Sequence, residues 1–133
     1  MNEQVIEKIS LITLVGPPNS GKTTLFNYLS GQNFKTVNYP GATVEYSICR
    51  LLGKFNLNAN ILDSPGIISL IPNSPDEKVA VESLYSHPQL GIPDLIIVTV
   101  DASQISRHLF LVKQLLEANF TVIIALTMTD MLL

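Results

Sequence analysis

The amino-acid sequence predicts an α/β fold in which a mostly parallel sheet carries helices on both faces. Runs that are apolar at every position alternate along the chain with helical patterns, and strands buried on both faces are typical of parallel sheets covered by helices. Residues 43–52 and a strand ending at residue 62 are joined by a short turn, which predicts one antiparallel edge strand. We expect residues 1–133 to form a single domain.

The other predicted strands are β-branched, apolar runs. They cover residues 9–15, 95–100 and 121–126. A helix is predicted over residues 22–30 because Gly31 follows it as a stop signal. Residues 31–41 are rich in polar and turn-forming side chains and are predicted to be a linker.

Two more helices are predicted in the second half of the chain. Ser74-Pro75-Asp76-Glu77 is a capping box with proline at the first helical position, and its helix ends before His87-Pro88. The last helix covers residues 105–119. Its apolar residues at spacings of four, three and four predict one stripe facing the core: Ile105, Leu109, Val112 and Leu116.

Composition excludes several classes of function. The net charge is −3 and no Lys/Arg cluster is present, so we expect no nucleic-acid partner. The longest apolar runs are far shorter than the roughly 20 residues that span a bilayer, so we expect no membrane insertion and no secretory signal. The single Cys49 excludes a disulfide framework and is predicted to be a buried apolar filler. His87 and His108 have no ligand-spaced partner, so no iron site is predicted.

Residues 16–23 carry the most specific motif. Gly16-Pro17-Pro18-Asn19-Ser20-Gly21-Lys22-Thr23 matches the phosphate-binding P-loop template, and it lies between a predicted strand and a predicted helix, as that template requires. Backbone N–H groups and the positive end of the helix then point at one place, which suits a polyphosphate. We expect Lys22 to reach the β- and γ-phosphates and the Thr23 hydroxyl to coordinate Mg²⁺. The sequence therefore predicts binding of a nucleoside triphosphate.

Two segments further along would complete a nucleotide switch. Asp63-Ser64-Pro65-Gly66 follows a strand, so Asp63 is predicted beside the P-loop, holding Mg²⁺ through water, with the Gly66 N–H near the γ-phosphate. Thr43 lies where the linker meets the predicted strand 43–52, and its hydroxyl would cap Mg²⁺ when the γ-phosphate is present.

Thr127-Met128-Thr129-Asp130 directly follows the last predicted strand. An Asp at this place accepts hydrogen bonds from N1–H and N2–H₂ of guanine and repels adenine, which offers an acceptor at N1. Asp130 is therefore predicted to select guanine.

The motifs together resemble one family over essentially the whole chain, the N-terminal G domain of the bacterial ferrous-iron transporter FeoB. The stretch Asn38-Tyr39-Pro40-Gly41-Ala42-Thr43-Val44-Glu45 is the closest to diagnostic. The others are residues 16–27, 63–66, 76–80, 93–96, 100–103, 107–111 and 114–117. The resemblance implies a P-loop NTPase of the Ras-like G-domain type.

The resemblance also implies roles for single residues. Asn19 matches the P-loop Asn that in this family helps to hold a K⁺ ion against the phosphates in place of an arginine finger. Ile67 follows the switch glycine and cannot orient water as a Gln does, so slow hydrolysis of GTP to GDP is expected. The implied catalytic set is Asn19, Lys22, Thr43 and Gly66. The implied nucleotide-binding set is Gly16, Pro17, Pro18, Asn19, Ser20, Gly21, Lys22, Thr23, Thr24, Asp63, Ser64, Pro65, Gly66, Thr127, Met128 and Asp130.

The implied ligands and setting follow from the same family. Mg²⁺ would be held by Thr23, Thr43 and Asp63, and K⁺ by Asn19, with GTP or GDP as the bound nucleotide. The implied partner is the membrane permease part of an iron transporter. The expected location is the cytoplasmic face of the inner membrane, or the cytoplasm if the chain acts alone.

Two departures from the family pattern stand out. Thr127 replaces an Asn whose side chain ties the base site to the P-loop, and we expect it to be too short to form the same pair of hydrogen bonds, at a cost of roughly 1 kcal/mol. The chain also ends soon after the guanine motif, before a further strand, a guanine-contacting loop and terminal helices. The sequence is therefore interpreted as a C-terminally incomplete G domain, either a truncated chain, a fragment of a split gene or a degenerate paralogue.

Two other functions remain open from the residues alone. A non-hydrolysing guanine-nucleotide-binding or regulatory module would fit Ile67 and Thr127. An ATP-dependent small-molecule kinase would share only the P-loop, and no substrate-binding Arg cluster or lid supports it.

Overall fold

A computed structural model describes residues 9–129 of the chain. A six-stranded mixed sheet has the strand order β2-β3-β4-β1-β5-β6. The strands are β1 Leu11–Val15, β2 Lys35–Asn38, β3 Glu45–Arg50, β4 Asn60–Asp63, β5 Leu95–Asp101 and β6 Val122–Thr127. The helices are α1 Lys22–Ser30, α2 Pro75–Tyr85 and α3 Ile105–Glu117, with short 3₁₀ turns at Gly53–Phe55 and Ala102–Gln104. The predicted α/β class with a mostly parallel sheet is confirmed.

The central strand β1 fixes the direction of the sheet. It pairs in parallel with β4 on one side and β5 on the other, and β5 pairs in parallel with β6. The carboxyl ends of these four strands therefore lie along one edge of the sheet, where parallel α/β proteins place their ligands. The P-loop follows β1 at this edge, and Asp63 ends β4 there.

Strand β2 was not expected. It pairs antiparallel with β3, which pairs antiparallel with β4. The predicted antiparallel strand is thus present as β3, but it lies inside the sheet, and β2 occupies the edge. Three of the four residues of β2 are polar and exposed, the exception being Val37, so β2 lacks the apolar alternation that predicts a strand from sequence.

Helices cover both faces of the sheet, as predicted. On one face Phe26 of α1 packs against Ile12 and Leu14 of β1. On the other face α2 and α3 pack against Val15 of β1 and against Val98 of β5. The helix α2 begins as its capping box predicts: the Ser74 hydroxyl accepts a hydrogen bond from the Glu77 backbone N–H at 3.1 Å.

The predicted core stripe of α3 is wrong at three of its four positions, and only Val112 is buried as predicted. Ile105, Leu109 and Leu116 are all more than a third exposed. The face buried against the sheet is instead formed by His108, Leu111, Val112 and Leu115.

The hydrogen-bonding of His108 explains this rotation of α3. Residues 109–112 are all apolar, so spacing alone does not fix which face is buried. The Nδ1 atom of His108 accepts a hydrogen bond from the Asp101 backbone N–H at 2.9 Å and holds that residue inward. The Asp101 side chain caps the turn after β5 by accepting a hydrogen bond from the Ser103 N–H.

Two other observations concern residues considered above. Cys49 was predicted to be buried but is only half-buried, against the hydrophobic cluster that contains Phe26 of α1. Burial raises the pKa of its thiol, and a hydrogen bond with Ser30 opposes that rise. Among residues 9–129, no helix combines the length and the apolar character that a membrane span requires.

Candidate nucleotide-binding site

The P-loop and its neighbours enclose an open, mostly polar cavity of about 420 Å³ at the carboxyl edge of the sheet. Seven of its lining residues belong to the motif region and two come from elsewhere in the chain. They are Pro17, Pro18, Asn19, Gly21, Lys22, Thr23 and Thr24, together with Gly66 and Met128. The structure therefore gathers the phosphate motif, residues 63–66 (the second switch segment) and the end of β6 around one space.

The backbone of the P-loop is shaped to bind an anion. Asn19 (φ 63°) and Gly21 (φ 88°) adopt left-handed conformations, and such turns point successive N–H groups toward a common concavity. Helix α1 begins at Lys22 with no side chain capping its first N–H groups. These uncapped donors and the positive end of the helix dipole face the cavity, which favours a phosphate there.

Lys22 links the P-loop to the end of β4. Its ammonium group forms an ion pair with the Asp63 carboxylate and donates a hydrogen bond to the Ser64 backbone carbonyl at 2.6 Å. Both side chains of the ion pair are largely buried. Asp63 and Ser64 do not themselves line the cavity, so Lys22 connects them to it.

Gly66 lies directly against the P-loop. A Cβ at this position would be 3.0 Å from the Pro18 backbone nitrogen, closer than side chains normally approach. The next residue strengthens the contact, because the Ile67 N–H donates to the Gly16 carbonyl at 3.0 Å. The Ile67 side chain points into the core and is only 2 % exposed. No side chain at position 67 therefore reaches the cavity.

Thr43 and Pro65 are not among the residues that line the cavity. Thr43 is exposed in the bend between β2 and β3. Asp130 lies outside the described residues. The roles predicted for these three residues remain predictions.

Thr127 reaches the P-loop, although we expected its side chain to be too short to replace both bonds of an Asn. Its hydroxyl lies 2.6 Å from the Ser20 backbone oxygen and 3.2 Å from the Val100 backbone oxygen. A hydroxyl has one proton to donate, so the shorter contact to Ser20 is the hydrogen bond. Met128, in a left-handed conformation (φ 58°), then lines the cavity.

Two residues near the site were not predicted from the sequence as site residues. Thr99, fully buried in β5, lies 2.6 Å from the Ser20 hydroxyl, Oγ1 to Oγ. Its only sequence signal is a hydroxyl within an apolar strand. Arg107 of α3 lines a neighbouring groove that also includes Pro17 and Pro18. An arginine therefore does lie near the P-loop in space, although none flanks the motifs in sequence.

A buried aromatic cluster holds the segment around Thr43 (the first switch segment) against the body of the domain. Tyr39 stacks against Tyr46 and His87, with ring centroids 4.7 and 5.4 Å away, and its hydroxyl lies 3.3 Å from the Ser83 hydroxyl of α2. Burial raises the pKa of Tyr39, partly offset by the bond to Ser83. The residues just before Thr43 are thus anchored to α2 and to the loop that follows it.

His87 is buried in this cluster and not solvated. Its Nδ1 atom accepts hydrogen bonds from the backbone N–H groups of Gln89 and Leu90 at 3.1 and 3.2 Å. Its Nε2 atom has no hydrogen-bond partner among the described residues, and burial lowers the pKa of the imidazole. His87 is therefore a neutral structural residue.

Comparison with known proteins gives a consistent result. The family model described as ferrous iron transport protein B (FeoB_N) matches residues 10–133. The Fe(2+) transporter FeoB of Escherichia coli K12 is 42% identical over 126 residues, which cover 90% of this chain and 15% of the transporter. The chain thus spans only a small part of the length of this relative.

Solved structures agree with the sequence matches. A GDP-bound variant of the S. thermophilus FeoB G-domain superposes with a TM-score of 0.80 at 44% identity, covering 93% of this chain and 45% of that one. A GMPPNP-bound variant of S. thermophilus NFeoB superposes with a TM-score of 0.75 at 44% identity, covering 93% of this chain and 46% of that one.

Proposed function

The chain belongs to the family of FeoB N-terminal G domains, and from this we propose that it binds GTP and GDP in the P-loop cavity and hydrolyses GTP slowly. The observation that carries the proposal is the convergence of Lys22, Thr23 and Gly66 on that cavity at the uncapped start of α1. The GDP-bound and GMPPNP-bound relatives support both nucleotides as ligands.

Mg²⁺ fits the residues around the cavity. Thr23 lines the cavity, and the Asp63 carboxylate lies beside it, held by Lys22. Hydroxyl and carboxylate oxygens are the ligands that Mg²⁺ prefers, and Thr43 would add a third oxygen from the first switch segment. Bound together with a nucleotide, the ion would neutralise negative charge on the phosphates. Lys22 would then exchange its contact with Asp63 for the phosphates.

Slow hydrolysis follows from the environment of the second switch segment. The Ile67 side chain is buried in the core and leaves no group at that position to orient water. Catalysis therefore depends on the backbone donors of the P-loop and of Gly66. Asn19 lines the cavity, and its side-chain amide oxygen would be the ligand for a K⁺ ion beside the phosphates. We therefore expect K⁺ to stimulate the reaction.

The physiological role proposed is that of a cytosolic switch in ferrous-iron uptake, acting on the membrane permease part of the transporter. The iron-transporter relatives support this setting. The expected location is the cytoplasmic face of the inner membrane.

A second candidate function is a guanine-nucleotide-binding module that does not hydrolyse GTP. The burial of Ile67 favours it, because the usual water-orienting side chain is missing from the cavity. Such a module would lose its bound nucleotide by exchange with free nucleotide and not by hydrolysis.

Phosphate release from Mg²⁺-GTP in K⁺ and in Na⁺, measured on the full chain, separates these functions. A slow activity that K⁺ raises and that Asn19→Ala makes insensitive to K⁺ supports the switch GTPase. Tight GTP binding with no release of phosphate in either salt supports the non-hydrolysing module. Lys22→Ala serves as the background control, because any phosphate it releases is contaminating activity.

A further inference from the structure

Ser20 of the P-loop, which follows one strand, forms contacts with two further strands. The residue is completely buried. Its side chain contacts Thr99 of β5, and its backbone carbonyl accepts the hydrogen bond from Thr127 at the end of β6. The P-loop itself follows β1. One residue of the phosphate motif is therefore bonded to the two strands that lie on the same side of β1.

The protons in this network have only one consistent arrangement. The Ser20 hydroxyl lies 2.6 Å from the Pro17 carbonyl, which can only accept, so Ser20 donates its single proton there. The 2.6 Å contact between Ser20 and Thr99 must then use the proton of Thr99. The alternative acceptor for Thr99, the Val15 carbonyl, is 3.5 Å away. Thr99 thus donates to Ser20, and Ser20 donates to Pro17.

Thr99 also lies against the first glycine of the motif. A Cβ added at Gly16 would collide with the Thr99 hydroxyl and would lie 2.9 Å from the Ser20 hydroxyl. The Thr99 side chain therefore occupies the space beside the P-loop backbone where the loop leaves β1. Thr99 does not line the cavity, so any effect it has on a ligand passes through the loop.

We infer that Thr99 is a positioning residue for nucleotide binding, which holds the P-loop in its phosphate-binding conformation by donating a hydrogen bond to Ser20. A loop with two left-handed residues, Asn19 and Gly21, loses conformational freedom when it is ordered. Bonds that order the loop before the ligand arrives reduce the entropy lost on binding. The expected effect of Thr99 on nucleotide affinity rests on the proposed function, whereas its expected effect on the order of the P-loop does not.

Two kinds of variant isolate the hydrogen bond. Both Thr99→Val and Thr99→Ala remove the hydroxyl. The first places a methyl group against Ser20 and the second leaves space, so the two disturb packing in opposite senses and an effect that they share reports the lost hydroxyl. Thr99→Ser keeps the hydroxyl. Thr36→Val is a matched control. The Thr36 hydroxyl lies 3.1 Å from the Ser47 hydroxyl, between β2 and β3 at the opposite edge of the sheet from β6.

The first measurement is amide hydrogen exchange of the nucleotide-free chain. We expect peptides covering residues 16–22 to exchange about fivefold faster in Thr99→Val and Thr99→Ala, the size of effect that one hydrogen bond produces. We expect Thr99→Ser and Thr36→Val to match the wild type, with exchange in β5 unchanged in all variants. Unchanged exchange of residues 16–22 in Thr99→Val and Thr99→Ala would overturn the inference.

The second measurement is the Kd of the same variants for Mg²⁺-GDP. We expect a rise of about fivefold for Thr99→Val and Thr99→Ala and a return to the wild-type value for Thr99→Ser. Wild-type affinity in both hydroxyl-free variants would overturn the effect on binding. If the wild type binds no GDP, the proposed function fails, and hydrogen exchange still decides whether Thr99 positions the loop.

Discussion

The hydroxyl of Thr127 donates a hydrogen bond to the backbone carbonyl of Ser20, with 2.6 Å between the oxygens and 107 residues between them in the chain. Thr127 also packs on Gly21, where an added Cβ would lie 3.1 Å from the Thr127 methyl group. The end of β6 and the P-loop are therefore fixed to each other before any ligand binds.

Replacing Thr127 tests this link. Thr127→Val removes the hydroxyl while keeping the branched shape that packs on Gly21, and we expect the Kd for GDP to rise about fivefold because one hydrogen bond is lost. Thr127→Ser keeps the hydroxyl and should bind within about twofold of the wild type. Isothermal titration of both variants gives the comparison. Equal affinities for the two variants would mean that the hydroxyl does not link the two segments.

A side chain at Gly66 should separate GTP from GDP. Gly66→Ala places a Cβ 3.0 Å from Pro18, so the second switch segment or the P-loop must move apart. We expect the affinity for GMPPNP to fall about tenfold while the affinity for GDP changes little, because the Gly66 N–H is predicted to contact the γ-phosphate, which GDP lacks. Gly53→Ala is the matched control, since nothing lies within 4 Å of a Cβ there. Equal losses for GMPPNP and GDP in Gly66→Ala would contradict this placement of Gly66.

The ion pair between Lys22 and Asp63 predicts how Mg²⁺ affects binding. Asp63→Asn removes the carboxylate charge that holds Lys22. In EDTA we expect this variant to bind GDP at least as tightly as the wild type, because Lys22 is released toward the phosphates. The gain in affinity on adding Mg²⁺ should be smaller than in the wild type, because the carboxylate proposed to hold Mg²⁺ is lost. Titrations with and without Mg²⁺ measure both effects. If Mg²⁺ raises the affinity of Asp63→Asn for GDP as much as it does that of the wild type, Asp63 does not hold the metal ion.

His87 predicts a pH dependence of stability. Burial lowers its pKa in the folded chain below the usual value of about 6.5. The unfolded chain then binds the proton more readily than the folded chain does. The contribution of neutral His87 to the free energy of unfolding is therefore fully present above about pH 6.5 and is lost as the pH falls toward the folded pKa. Urea unfolding between pH 5 and 8 measures this slope.

His87→Asn is the variant for that experiment. Its side-chain oxygen still accepts from the Gln89 and Leu90 N–H groups, but it does not titrate. We expect it to be less stable at pH 8 and to lose less stability between pH 7 and 5 than the wild type. The same pH slope in both proteins would assign the slope to other groups.

The parts of the fold that were predicted correctly have local signals. The P-loop, the helix that follows it and the capping box at Ser74 each depend on residues within about one turn of each other, and each is found where the sequence placed it. The parallel sheet follows from apolar runs, because only strands covered on both faces are apolar at every position.

The features that sequence reasoning missed depend on distant contacts. The face that α3 buries is set by the hydrogen bond between His108 and Asp101. Apolar residues lie on both sides of the helix, so their spacing does not predict which side is buried. Strand β2 is defined by pairing with β3 and has no apolar pattern of its own. The contact of Thr99 with Ser20 joins residues 79 apart, and only their positions in the sheet bring them together.

The measurement that tests the account most directly is competition for a fluorescent GDP analogue bound to the chain in Mg²⁺. We expect unlabelled GTP and GDP to displace the analogue, and ATP to fail at about hundredfold higher concentration, because a guanine site rejects the acceptor at adenine N1. Lys22→Ala should not bind the analogue. Equal displacement by ATP and GTP, or no binding of the analogue by the wild type, would contradict a guanine-nucleotide site at the P-loop.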